Sequence, residues 1–310
     1  MAEKSTIGAP STASLPPSNR SPLKPAFLAL PIIYYGVFFV PPLIFLAILG
    51  FWIVENYQIV PNFSVMNYAD IFSQFFTKSK FGLSLAQSLY VAATTTIFAV
   101  LFCYILAMGI VFCVPTRYQR LVLVLAILPF WSSYILRLFS WQAILAQRGI
   151  LNNVLARLGL DDPLIITNTQ IGTRIGLIHY LTPILIIILF VALINVDRKM
   201  IEAARDLGAT RWQAFVRVIL PLSKLGLIFA AGFAMIVSFG DVLAGLLVGG
   251  GIGKSWLGPL PLYPDVIMTD YNSYTNLPRT AALATILVLV MVIILVVSYR
   301  FADKARQELR

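Results

Sequence analysis

Six long apolar runs set the terms on which this chain can fold. They are Ala26–Val54, Ser84–Val114, Leu121–Trp141 with Arg137 inside it, Ile175–Val196, a stretch from about Val218 to Gly253, and Ala281–Tyr299. Each is near or above the roughly 20 residues that an α-helix needs to cross about 30 Å of hydrocarbon. Ala, Leu, Ile, Val and Phe dominate them without the apolar/polar alternation of a barrel strand, so the runs predict a helical bundle and not a β-barrel. The expected fold is an all-α membrane protein with six transmembrane helices. Composition agrees: 59% of the 310 residues are hydrophobic and 12% are charged, with a mean hydropathy of +0.86, against about 25% charged in soluble chains.

The net charge of +10 does not point to nucleic acid, because the basic residues flank the apolar runs and form no single patch or arm. Of the 23 Lys and Arg residues, fifteen fall on the side of the N-terminus, seven fall on the other side, and Arg137 lies within a run. The positive-inside bias therefore puts both termini in the cytoplasm. Residues 1–25, rich in Ser, Pro and Ala, read as a disordered cytoplasmic tail. Residues 26–300 read as the six-helix transmembrane domain and residues 301–310 as a second cytoplasmic tail. The first run is too long for the apolar core of a signal peptide. Cys103 and Cys113 lie ten positions apart in one run, about 15 Å along a helix, which excludes a disulfide between them. Neither they nor the lone His179 make a metal-ligand cluster, and packing is the simplest role for all three.

Two irregularities interrupt the spans. Pro41-Pro42 remove two amide donors inside the first span and should bend it. In the fifth, Leu225–Gly253 would reach about 43 Å as one helix, longer than the hydrocarbon core, and Gly240-Asp241 mark the expected break into a re-entrant or cavity-lining segment. Just beyond that break stands "GGGIGKS", Gly249–Ser255. A phosphate-binding Gly-x-x-x-x-Gly-Lys-Ser loop would require glycine at 248, where this chain has Val248, and would open a helix, which "WLGPLPLYP" opposes. The stretch reads as close-approach backbone at the outer end of the fifth span.

The longest polar insertion, Asn195–Ser223, joins spans four and five. Seven charged residues in Asp197–Arg211 alternate with Met200, Ile201, Ala203, Ala204 and Leu207 at helical spacing, predicting an amphipathic helix of about three turns that Gly208 ends or bends. A second amphipathic stretch, "ATRWQAFVRVI", leads to Leu220-Pro221, where proline suits a helix's first turn. On the residues alone two readings stay open: docking into the cleft of a partner, and anchoring to lipid headgroups.

"EAARDLG", followed by nine residues and then "VILP", resembles the EAA loop of binding-protein-dependent ABC importer permeases. Glu202, Ala203, Ala204, Gly208, Leu220 and Pro221 stand on the motif, and Val218 stands where isoleucine is usual. Leu128–Gly159 is similar to the third-span region of the spermidine/putrescine permease family, with Pro129, Phe130, Trp131, Arg137, Gly149, Leu151 and Asn152 on its pattern. The likeness covers roughly residues 85–300. It implies the type I ABC importer permease fold, in which the EAA loop is the coupling helix that inserts into an ATPase subunit. It also implies the partners: a cytoplasmic ABC ATPase dimer that binds ATP and Mg, a second permease subunit of a different chain, and an extracytoplasmic solute-binding protein. The implied location is the bacterial inner membrane, and the implied solute is a polyamine or a related cationic amine or opine. No cofactor is expected in this chain.

Ionisable residues within a span mark functional sites by default. Trp131, Tyr134, Leu138 and Trp141 share one helical stripe with Arg137 beside it, either as an aromatic wall with a cation or as an interfacial belt with a snorkelling arginine. Asp241 suits an ammonium in a low-dielectric cavity. The same carboxylate would alternatively pair internally, with Arg137 among the candidates. Tyr34, Tyr35 and Tyr90 could add ring faces to the path. Two other functions compete. A membrane-embedded enzyme would need a catalytic constellation that one His and two separated charges do not supply. A secondary transporter would usually show an internal repeat and more spans.

Overall fold

A computed structural model describes residues 23–75, 80–160, 162–250, 253–255, 258–274 and 276–308. Most of the expected N-terminal tail lies outside these residues. The chain divides into two compact units, Met1–Phe45 and Leu46–Arg310.

In the first unit, α1 (Leu23–Phe38) gives way at Phe39 to α2 (Val40–Leu49). The interruption comes two residues before Pro41, because Pro41 and Pro42 have no amide to donate to the preceding turn. The run Ala29–Leu49 is long and apolar enough to cross a membrane, and its apolar side chains face outward: Leu30, Ile32 and Phe38 are all more than half exposed.

The second unit opens with a hairpin, β1 (Ile53–Glu55) and β2 (Gln58–Val60), paired antiparallel with Val54 opposite Ile59. Its two-residue turn holds Asn56 and Tyr57 at φ +48° and +61°, as a primed turn requires at both central positions. A short α3 (Met66–Phe75) follows. Four long helices then form the core: α4 (Lys80–Met108), α8 (Gln170–Ile194), α11 (Leu220–Gly240) and α14 (Leu277–Glu308). α14 continues past Phe301 to Glu308, so most of the expected C-terminal tail is helical.

Small residues let these helices approach. Ala99, Cys103 and Ala107 of α4 meet Leu185 and Leu189 of α8 and Ala230 and Ala234 of α11 in one buried cluster. Gly226 of α11 lies so close to α8 that a methyl group on it would sit 2.2 Å from Cβ of Ala192. Without a hydrophobic drive between helices in lipid, such close contacts and interhelical hydrogen bonds hold the bundle. One of these bonds is the buried pair Tyr104 Oη and Ser223 Oγ, 2.7 Å apart on α4 and α11. Gly226→Leu is accordingly expected to destabilise the detergent-purified protein by about 1–3 kcal/mol through overpacking. An unchanged melting temperature would contradict this contact.

The third span departs from the sequence expectation. Instead of one helix over Leu121–Trp141, α5 (Thr116–Ile127) tightens into a 3₁₀ turn at Leu128–Trp131, breaks at Ser132-Ser133, and resumes as α6 (Tyr134–Leu145) after a bend of 88°. Pro129 inside the tightened turn and the extended backbone at Ser132 (ψ 148°) and Ser133 (ψ 134°) make the corner. α7 (Ile150–Arg157) ends on Gly159 at φ +87°. The fifth span breaks where expected. α11 stops at Gly240, Asp241 is extended, and a five-residue α12 (Leu243–Leu247) follows. Then come the hairpin β3 (Gly253–Ser255) and β4 (Gly258–Leu260) and the helix α13 (Tyr263–Tyr274). Gly253–Ser255 is thus a strand and opens no helix. Ile252 and Gly251 lie outside the described residues.

Candidate solute path and coupling loop

The break after α11 carries the first candidate site. Asp241 Oδ1 accepts the Ala244 amide at 2.7 Å, capping α12, and Oδ2 accepts the Tyr134 hydroxyl at 2.9 Å. The carboxylate is therefore fixed by two donors from two elements. The Tyr134 ring lies 4.2 Å from that of Tyr180 on α8, and the Arg137 guanidinium carbon sits 5.9 and 5.8 Å from the two ring centroids. A guanidinium at this range is held by the ring quadrupoles. Arg137 is buried, and its Nε and Nη1 have no hydrogen-bond partner among the described residues. It makes no ion pair with Asp241. Ion pairs among the described residues join Lys224 to Glu308 and Arg279 to Asp270. Tyr134 stands where the sequence reading placed a possible Arg137 partner.

The aromatic stripe is split by the corner. Tyr134, Leu138 and Trp141 stay on α6, whereas Trp131 lies in the 3₁₀ turn before the break and is 78% exposed. Trp141 packs edge-on to His179 at 5.7 Å, and the two help line an apolar groove of about 470 Å³ with Phe102, Ile178 and Thr182. Sequence reasoning treated His179 as packing and gave no role to Tyr180. Only the α6–α8 pairing, which no local pattern encodes, brings them here. Tyr90 belongs to a separate cluster in which Arg174 donates to Thr94 Oγ1 at 2.9 Å and lies over the Tyr90 ring. Arg174 is within α8, not in a loop as its count among the flanking charges implied. Tyr34 and Tyr35 lie in the first unit, 5.6 Å apart and exposed.

Asp265, on the first turn of α13, has no counterpart in the sequence reading because it lies in a polar stretch outside every apolar run. It is 5% exposed, and neither oxygen has a hydrogen bond of good geometry among the described residues. A methyl group on Gly245 of α12 would sit 2.8 Å from its Oδ2. Burial pushes its carboxyl up to about 7, the Leu262 amide offsets part of this, and the charge of Asp241 adds to it. A carboxyl raised in the folded state binds its proton where the unfolded chain has lost it. The contribution of Asp265 to stability is thus greatest below about pH 4, falls as pH rises toward 7, and is level above. Asp265→Asn should therefore match the parent's melting temperature near pH 4 and exceed it increasingly up to about pH 7. A difference that is flat across this range would contradict the assignment.

The second candidate site is the loop between α8 and α11. α9 (Arg198–Asp206) is capped by Asp197, whose Oδ1 accepts the Lys199 amide at 2.9 Å. It ends on Gly208 at φ +87°, with Gly208 N–H donating to Arg205 O at 2.9 Å and Ala209 N–H to Ala204 O at 3.0 Å. This is the double bond pattern of a Schellman cap. Thr210 and Gln213 then form a reciprocal capping box at the start of α10 (Arg211–Ala214). α9 has no buried residue, and Leu207 and Trp212 are 90% and 70% exposed. Two large apolar side chains thus stand exposed among the charges of this loop.

Glu202, Ala203 and Gly208 lie exposed on this loop and Ala204 is half-buried, whereas Leu220 and Pro221 are carried away on the spanning helix, where Leu220 packs on the buried cluster. The helix starts earlier than the proline suggested, running continuously from Arg211 to Gly240. A π turn at Phe215–Ile219 widens it just before Pro221, accommodating the missing amide. A second π turn, Gly109–Cys113, ends α4. There the Val111 carbonyl accepts Arg198 Nη2 at 2.6 Å and Gln119 Nε2 at 2.9 Å.

Spanning helices around a small-residue core, a broken fifth span with a fixed carboxylate, and a two-helix loop with exposed apolar side chains define a multi-pass helical membrane protein. The chain belongs to the family of binding-protein-dependent transport system inner membrane components, whose family model matches residues 116–308. It is 31% identical over 247 residues to the spermidine/putrescine transport system permease protein PotB of Haemophilus influenzae, covering 79% of this chain and 82% of that one. The protein of the same name from Escherichia coli is 32% identical over 187 residues, 60% of this chain and 66% of that one. The fold is similar to the crystal structure of a bacterial ABC transporter involved in the import of the acidic polysaccharide alginate. That match has a TM-score of 0.69 at 18% identity and covers 92% of this chain and 95% of that one. The protein is a multi-pass inner-membrane permease subunit of an ABC importer, with the type I fold, and not an enzyme. The readings as a secondary transporter or a membrane-embedded enzyme are set aside.

Proposed function

We propose that this permease forms half of the translocation path for a polyamine or a related cationic amine or opine. The observation that carries the reading is Asp241, a carboxylate fixed at the break of a spanning helix and faced by tyrosine rings. Such a group attracts an ammonium strongly where the dielectric is low. The relatives named for spermidine and putrescine support the same class of solute. A second permease subunit, of a different chain, completes the cavity, and Trp131 and the groove at Trp141 and His179 are where it or the solute would meet this half. An extracytoplasmic binding protein delivers the solute.

Both termini and the Arg198–Ala214 loop lie in the cytoplasm, in accordance with the excess of basic residues on that side. Glu202, Ala203, Ala204 and Gly208 present the loop to a cytoplasmic ATPase dimer that binds ATP and Mg. Leu220 and Pro221 mount the loop on its helix. Closure of the ATPases moves the loop as a rigid lever and turns the path from inward- to outward-facing. The test is reconstitution of the whole transporter in proteoliposomes with labelled amines. Uptake that requires ATP and the binding protein, and is lost in Glu202→Arg, is the expected result. ATP-independent uptake by this chain alone would overturn the coupling. ATP-driven uptake of anions with no uptake of amines would overturn the solute class.

A further inference from the structure

Two carboxylates flank the five-residue α12, and they are held in opposite ways. Asp241 at its start has both oxygens occupied, by the Ala244 amide and the Tyr134 hydroxyl. Asp265, packed under Gly245 at its middle, is 5% exposed, and apart from the nearby Leu262 amide neither oxygen faces a donor in good hydrogen-bond geometry among the described residues. Buried polar groups in native folds are almost always bonded, and one that is not points to a partner absent from this state. The partner must be a donor, because the site offers acceptors. An anion would be repelled by the two carboxylates. No group of three or more metal-ligating side chains exists among the described residues. An alkylammonium, with up to three N–H donors and one positive charge, fits the need.

We propose that Asp265 is a second ammonium-binding subsite of the solute path, concealed beneath α12 and uncovered when solute engages Asp241. Asp241 Oδ1 is the side-chain cap of α12, so an ammonium arriving there competes directly with the Ala244 amide for that oxygen. Loss of the cap loosens a helix with extended backbone at Asp241 on one side and Gly249 and Gly250 (φ +72°) on the other. Gly245 is the point at which α12 covers Asp265, and a shift of α12 opens it. A solute with two or more separated ammonium groups then engages both carboxylates, whereas a monoamine stops at the first. The inference rests on the cationic-amine reading and adds a requirement for multiple charges.

The complete transporter in proteoliposomes supplies the test, with uptake of a labelled α,ω-diamine and triamine measured for the parent and for Asp265→Asn. The expected result is at least a tenfold loss of uptake, with a melting temperature at pH 8 no lower than the parent's. Parent-like uptake overturns the proposal, and so does a loss accompanied by a lowered melting temperature, which would reveal a structural partner. Asp265→Cys provides a second readout: labelling by an ammonium-bearing methanethiosulfonate should appear when a monoamine occupies Asp241, above the background of Cys103 and Cys113, and be blocked when the diamine replaces the monoamine. A residue that is never labelled, or labelled without protection, also overturns it. If the parent transporter moves no amine at all, the underlying solute class fails, and that outcome is read from the parent alone.

Discussion

Gly208→Trp is expected to abolish ATP-coupled uptake by the assembled transporter while leaving the spanning helices folded. Position 208 has φ +87°, and a Cβ there meets nothing within 4 Å, so the substitution suffers no clash within this chain. Its effect has two other sources. A side chain in left-handed backbone costs about 1–2 kcal/mol, which loosens the Schellman cap and changes the angle between α9 and α10. The indole also projects from a surface where Glu202, Ala203 and Leu207 already stand exposed, in the way of any cleft that receives them. Gly208→Asn separates the two effects, since asparagine tolerates this backbone region and adds little bulk. It should retain a substantial fraction of uptake. The measurement is uptake per ATP hydrolysed, together with co-purification of the ATPase. Uptake by Gly208→Trp at the parent rate would remove the loop from the coupling path.

Asp241→Asn is the second large effect. Asparagine keeps an oxygen for the Ala244 amide and a polar group against the Tyr134 hydroxyl, so α12 stays capped while the charge is gone. An ammonium about 4 Å from the carboxylate gains up to about 4 kcal/mol at an effective dielectric of about 20. Removing that charge should lower kcat/KM for a cationic solute by up to roughly three orders of magnitude, at about tenfold per 1.4 kcal/mol. Tyr134→Phe leaves the charge and removes one donor, and a smaller loss is expected. Amine uptake that is insensitive to Asp241→Asn would dissociate the solute from the break in α11.

The long helices and the two short helices of the loop between α8 and α11 were legible because each rests on a local signal: hydropathy over about 20 residues, helical spacing of charges, and a glycine at a cap. The break at Gly240-Asp241 was legible for the same reason, an impossible length for one helix. The corner in the third span was not. Pro129 and the two serines after Trp131 are weak individually, and the continuous apolar character of Leu121–Trp141 overrode them. Everything that depends on which helix lies beside which was also hidden. Tyr134 bonds Asp241 across 107 positions of sequence, and Asp265 comes to lie under Gly245 only through the hairpin and helix that return the chain. The alternative of an Arg137–Asp241 pair could not be decided from sequence on this account, since two lone charges in apolar runs need not be neighbours.

The bond from Arg198 to the Val111 carbonyl gives the chain a mechanical order that differs from its covalent one. The loop's first helical residue is fastened to the end of α4, 87 positions upstream, at a carbonyl that Gln119 from the start of α5 also grips. A displacement imposed on α9 therefore acts on four spanning segments together: α8 and α11, to which it is joined, and α4 and α5, to which it is merely bonded. The loop works as a crossbeam, and a push at one point arrives at the ends of several posts at once.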